Sequence, residues 1–379
     1  MEKDPAVYPD VNRVVSDAVT TIEREITKYT RYIPQVSDLI ATITESIDRE
    51  SSSGSTESSQ VVHTCPGSVG PLSRYSAEIF EKEYEGLCVG VGGARAILEA
   101  GALHEFWVRG LLKNLKYYAG SSAGSMFCYL LAIGYEPVDI LTTFCSTEFV
   151  SSFAIPNFMN IPTICGLYPN SVIRNKLDQM TMLKIGYVPT FSEMVEKHGK
   201  SIIVTAYCLS EKDVQQRRIY FSPSTSPNMA VIDAVVLSCS IPLIFQRAVY
   251  EGKVYIDGAY TSLFPIQALQ NVVPEQANIL GIFLEENRSS CDTFFGYVSE
   301  LISISLREQD RVSGLRDRSE VLQITDSNKT SALNFNMSRT DKMALFTNGT
   351  KQVQNLAQSI ARSRSSVSTQ SNDHKEKTE

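Results

Sequence analysis

The segment Gly120-Ser121-Ser122-Ala123-Gly124 sets a serine between two glycines at two-residue spacing. It follows an apolar run, LKYYA, and precedes a helical one, SMFCYLLAIGY. A sharp strand–turn–helix bend of this kind lifts the central hydroxyl clear of a sheet, and the glycines at 120 and 124 let neighbouring backbone pass close to it. The helix start behind Ser122 adds the positive end of a dipole, which favours a nucleophilic oxygen. A second segment, Gly90-Val91-Gly92-Gly93-Ala94-Arg95, joins the end of the run GLCVGV to a helical pattern. Backbone N–H groups at a glycine-rich helix start suit the oxyanion formed in acyl transfer, and Gly92 and Gly93 can turn both amides toward one point. A dinucleotide or P-loop reading fails, because Arg95 stands where a third glycine is needed and no Gly-Lys-Ser/Thr follows. Arg95 either adds positive charge near the oxyanion or faces solvent from the first helical turn.

The third segment is Asp257-Gly258-Ala259, after KVYI. An Asp-Gly pair is commonly no more than a turn. Its weight here comes from the histidines. A serine nucleophile needs a base, usually His. The chain has four: His63 by a Ser-rich stretch, His374 in a charged tail, His198 in a turn, and His104 on an apolar helix face. None follows Asp257 within the expected folded body, so the order Ser, Asp, His is not available. A carboxylate then acts as base directly. A Ser-His-Asp arrangement survives only if His104 or His198 reaches Ser122.

These groups need a scaffold. Apolar runs predict buried strands at Gly86–Val91, Lys116–Ala119, Ser201–Leu209, Arg218–Ser222, Val254–Ile256 and Ile279–Leu284. Helical patterns at 94–112, 123–134, 136–148, 171–183, 229–238, 293–308 and 340–361 alternate with them. The alternation predicts an α/β fold, a largely parallel sheet covered on both faces, with ligands bound where strand ends meet helix N-termini. Ahead of this body, residues 11–47 carry apolar positions at helical spacing, interrupted at Pro34. Their polar faces mix Arg24, Lys28 and Arg31 with Asp17, Glu23, Glu25, Asp38 and Glu45. That mixture favours a protein partner or self-association over a basic membrane-surface helix. The expected division is an amphipathic helical segment at 1–50, a Ser-rich linker at 51–75, the catalytic body at 76–362 and a disordered polar tail at 363–379.

Composition narrows the classes further. The net charge of −7 argues against a nucleic-acid partner. Eight singly spaced cysteines read as reduced thiols of a cytoplasmic protein. The start MEKDPAVYPD is too polar for a signal peptide, and no apolar run approaches a membrane span. Contact with a bilayer would then be peripheral. No metal-ligand spacing occurs, and the chemistry above requires no metal or other cofactor.

Glycine loop, serine elbow and Asp-Gly-Ala turn, in this order and setting, resemble the patatin-like phospholipase family. The likeness extends to the run 117–135, to Gly166-Leu167-Tyr168 and Thr190-Phe191, and to the approach to the aspartate across 234–266. It is strong over about 85–290 and looser over 290–362. The resemblance implies a three-layer α/β/α sandwich with a mostly parallel central sheet. It implies a phospholipase A type acyl hydrolase acting on membrane phospholipid or another acyl lipid. Ser122 would be the nucleophile and Asp257 the base, with oxyanion donors from Gly92, Gly93, Ala94 and Arg95. Gly90, Gly120, Gly124, Gly258 and Ala259 would support the motifs. Val91 and Ala96 stand where the family usually has glycine, which implies an altered loop geometry. Those two departures favour the alternative reading, a lipid-binding or protein-interaction domain with weak or no turnover.

Overall fold

The computed structural model describes residues 77–146, 149, 152–153, 156–285, 291–293, 295–303 and 321–375. All of these except 291–293 belong to one compact unit. The amphipathic segment expected over 11–47, the linker and His63 lie outside the described residues.

The sheet forms where apolar runs can be buried on both faces. Strands β1 (Gly86–Val89), β2 (Tyr117–Gly120), β4 (Ser201–Cys208) and β9 (Ile279–Leu284) are almost wholly buried, as continuous apolar runs in a covered parallel sheet should be. With β10 (Val321–Ile324) they form the parallel part, ordered β10-β9-β1-β2-β4. Beyond β4 the sheet turns antiparallel through β8 (Lys253–Ile256) and β7 (Ala248–Tyr250), and β5 (Arg218–Phe221) also pairs with β4. Helices flank this mixed sheet, giving an α/β/α sandwich. The short strands β3 (Gly166–Tyr168) and β6 (Leu243–Phe245) pair separately.

Helix α1 (Ile97–Val108) follows β1, and α2 (Ala123–Ala132) follows β2. Then come α3 (Pro137–Phe144), α4 (Ser171–Ile185), α5 (Phe191–His198), α6 (Val231–Ser238) and α7 (Ile266–Gln270). Residues 295–303 are helical, and α8 (Arg339–Lys375) ends the described chain. On one side of the sheet Cys88, Ala119, Ile203 and Phe283 pack against Leu263, Phe264, Ile266 and Leu269. Thr350 of α8 donates a hydrogen bond to the Gly101 carbonyl of α1 at 2.9 Å, tying these helices together.

All six expected strands form. The short strands β3, β6, β7 and β10 are additions, each of three or four residues, too short for periodicity to register. The expected helix start at 94 is a 3-10 turn, Gly93–Ala96, before α1 begins. Thr190-Phe191 opens α5, a helix not among those expected. The Thr190 side chain accepts from the Glu193 amide while the Glu193 carboxylate accepts from the Thr190 amide, a capping box that starts a helix. The tail expected to be disordered from 363 is helical to Lys375. No glycine or proline follows Gly349 to end that helix.

Candidate active site

Ser122 sits at the bend between β2 and α2 with φ 51° and ψ −128°. A non-glycine residue held there is strained, and such strain concentrates at functional sites. Neighbouring bonds impose the conformation. The Ser122 amide donates to Ser238 Oγ at 2.9 Å, and its carbonyl accepts from the Ser125 amide at 2.9 Å and the Ser125 hydroxyl at 2.6 Å. The bend also needs α2 to start hard against β1. A side chain at Gly124 would lie 2.2 Å from the Gly90 carbonyl oxygen, so only glycine lets helix and strand meet.

Asp257 follows β8 and caps a 3-10 turn, Gly258–Tyr260. Its amide donates to the Ser240 carbonyl at 3.0 Å, and its Oδ1 accepts from the Ala259 amide at 2.9 Å. The free oxygen, Oδ2, accepts from Ser122 Oγ at 2.7 Å across 135 residues of sequence. Both side chains are buried, at 5% and 3% exposure. Burial pushes the Asp257 carboxyl up to about 7, and the hydrogen bonds from Ala259 and Ser122 only partly oppose it. A carboxylate with an ordinary pKa near 4 is a feeble base, whereas one poised near neutrality matches proton abstraction far better.

His104 and His198 lie outside both cavities described below. His198 Nε2 is 2.9 Å from the Tyr187 hydroxyl, and His104 packs 5.3 Å from the Phe346 ring. Neither lines a cavity that contains Ser122.

The glycine loop supplies donors, but not all of those expected. Ala94 donates its amide to the Ala332 carbonyl at 2.7 Å and Arg95 donates to the Gly92 carbonyl at 3.1 Å. In this conformation those two amides hold the loop. The Gly92 and Gly93 amides have no acceptor among the described residues. Gly93 has φ +55°, and a side chain there would lie 2.3 Å from the Ala332 oxygen. The Ala123 amide, at the first turn of α2, likewise has no acceptor among the described residues. Arg95 does not face solvent: it is 6% exposed, lies in a cavity wall, and its charge opposes the burial of the Glu99 carboxyl.

Two cavities meet at Ser122, Gly93 and Ile241. The first, about 600 Å³, is walled by Phe127, Phe144, Phe149, Phe153, Phe245 and Phe335. Several rings meet edge to face, Phe144–Phe149 at 4.9 Å and Phe149–Phe153 at 5.1 Å. The second, about 740 Å³, adds polar wall from Arg95, Asp257, Ser299 and Ser303. Residues 332–337 contribute to both walls, a segment with no sequence signal. Ser238 was missed for the same reason: a serine inside an apolar helix pattern carries no mark of its bond to Ser122.

Residues 87–269 match the patatin-like phospholipase family. They belong to that family. The chain is 30% identical over 197 residues to a "Probable lipid hydrolase" of Invertebrate iridescent virus 6, covering 51% of this chain and 65% of that protein. It is 26% identical over 291 residues to an uncharacterized protein of Acanthamoeba polyphaga mimivirus, covering 73% and 94%. Among solved structures, VipD from Legionella pneumophila aligns with a TM-score of 0.43 and 16% identity over 82% of this chain and 73% of that one. Among the described residues, no helix is long and apolar enough to cross a membrane.

Proposed function

We propose that this patatin-like chain is a lipid acyl hydrolase of phospholipase A type, acting through a Ser122–Asp257 dyad. The observation that carries the reading is the 2.7 Å contact between Ser122 Oγ and Asp257 Oδ2 beside a phenylalanine-lined cavity. Asp257 takes the hydroxyl proton as Ser122 attacks the ester carbonyl, and the Gly92 and Gly93 amides hold the oxyanion. Collapse of the tetrahedral intermediate expels the lipid alcohol, which leaves with the proton from Asp257. Water then attacks the acyl-serine, giving its proton to the same carboxylate, and the fatty acid departs as Ser122 is restored. The apolar cavity suits the acyl chain, and the cavity walled in part by Arg95 suits the alcohol side. Substrate would be drawn from a bilayer by peripheral contact at its cytoplasmic face.

Ser122→Ala and Asp257→Asn are each expected to lower ester hydrolysis by about two orders of magnitude or more, and a fluorophosphonate probe is expected to label Ser122. Full activity in either variant would end the proposal. Folded protein that binds acyl lipid but takes no label would favour a binding domain instead.

A further inference from the structure

Ile241 follows directly on the segment that holds Ser122 and Asp257. Ser238 Oγ accepts from the Ser122 amide at 2.9 Å, and the Ser240 carbonyl accepts from the Asp257 amide at 3.0 Å. The next residue, Ile241, stands in the walls of both cavities that contain Ser122. Those walls have two other residues in common, Ser122 itself and Gly93, which has no side chain. Where the cavities meet, among the described residues, the Ile241 side chain is thus the surface that stands beside the serine hydroxyl. Its backbone is held in place. The Ile241 amide donates to the Cys239 carbonyl at 3.0 Å, and its carbonyl accepts from the amides of Ile244 at 3.2 Å and Phe245 at 2.9 Å, closing a turn through Pro242. Proline fixes its own φ, and a β-branched side chain has few χ1 rotamers open to it. At 9% exposure the side chain has little room to swing aside.

An ester attacked by Ser122 lays its acyl chain in one cavity and its alcohol in the other. The two carbons that flank the ester group, one acyl and one alcohol, then cross the junction beside Ile241. A methylene passes a branched Cβ, whereas a carbon with a further substituent presses against it. We propose that Ile241 is a specificity-determining residue that confines this site to esters of primary alcohols. In a glycerolipid the ester at an outer carbon would be cleaved and the one at the central, secondary carbon rejected. One carbon too many in a close-fitting pocket is worth about 10–200-fold in discrimination, which sets the size of the effect. The inference rests on the proposed hydrolase reading, which supplies the ester and its seat at Ser122.

The test uses two isomers of a glycerophosphocholine in mixed micelles. One has an acyl ester at the outer carbon and an alkyl ether at the central carbon, and the other has the two exchanged, so each offers a single cleavable ester. Wild type is expected to favour the outer ester about tenfold or more in kcat/KM, and Ile241→Ala to lower that ratio about tenfold. The ratio is independent of how much protein is folded. Equal rates on the two isomers in wild type, or a ratio unchanged in the variant, would overturn the proposal and leave the hydrolase reading standing. If Ile241→Ala does not fold, Ile241→Leu keeps the volume while moving the branch away from Cβ. A fall of about threefold or more in the ratio is then expected, and no fall overturns. If wild type takes a fluorophosphonate label without turning over either lipid, labelling rates for probes with a primary or a secondary alkoxy group decide in the same way. No turnover and no label would remove the hydrolase reading, and this inference with it.

Discussion

Replacing Asp257 by Asn should make the protein inactive and, at alkaline pH, more stable. The carboxyl titrates near 3.8 in an unfolded chain and at about 7 in the fold, chiefly because burial disfavours its charge. Between those values the folded state keeps a proton that the unfolded state has released. Stability from this group is therefore fully present below about pH 4 and is lost as pH rises through 7. Three pH units correspond to ~4 kcal/mol. Asn keeps the geometry, since its oxygen can accept from Ala259 and its amide can donate to Ser122, and it has no charge to bury. Urea denaturation of both proteins from pH 4 to 8 isolates the effect, because every other titrating group is common to both. The variant's stability relative to wild type should rise by up to ~4 kcal/mol across that range. Over the same range, wild-type kcat/KM should fall about tenfold per unit below pH 7. A stability difference that stays flat, or wild-type activity unchanged between pH 7 and 5, would refute the reasoning.

Gly93→Ala would place a side chain at φ +55° and against the Ala332 oxygen; turnover should fall at least tenfold in a protein that still folds, measured as kcat beside a melting curve. Ser238→Ala would orphan the buried Ser122 amide; about 1–3 kcal/mol of stability should be lost, with kcat falling more than KM changes, measured by denaturation and steady-state kinetics.

Much of this arrangement was legible in the chain. Strands β1, β2, β4 and β9 are buried on both faces and so appear as unbroken apolar runs. The glycines at 93 and 124 mark backbone that no side chain can occupy. Less legible were β3, β6 and β10, each held by pairing partners distant in sequence, and β7, a three-residue arm of a hairpin with β8. The capping box at Thr190 and Glu193 was present in the letters, yet α5 is too short for its periodicity to register.

Sequence by itself determined the residue types able to do the chemistry, and the absence of a histidine after Asp257 in the body. Local patterns also determined the strand–turn–helix setting of Ser122, because periodicity and glycine act over a few neighbouring residues. Tertiary structure alone decided that Oδ2 of Asp257 meets a hydroxyl 135 residues away, and that Ser238 anchors the elbow. It also decided that the loop amides of Ala94 and Arg95 are already bonded. The reason is physical: hydrogen-bond partnership and desolvation depend on which groups long-range packing brings together, and neither is a property of any short stretch of chain.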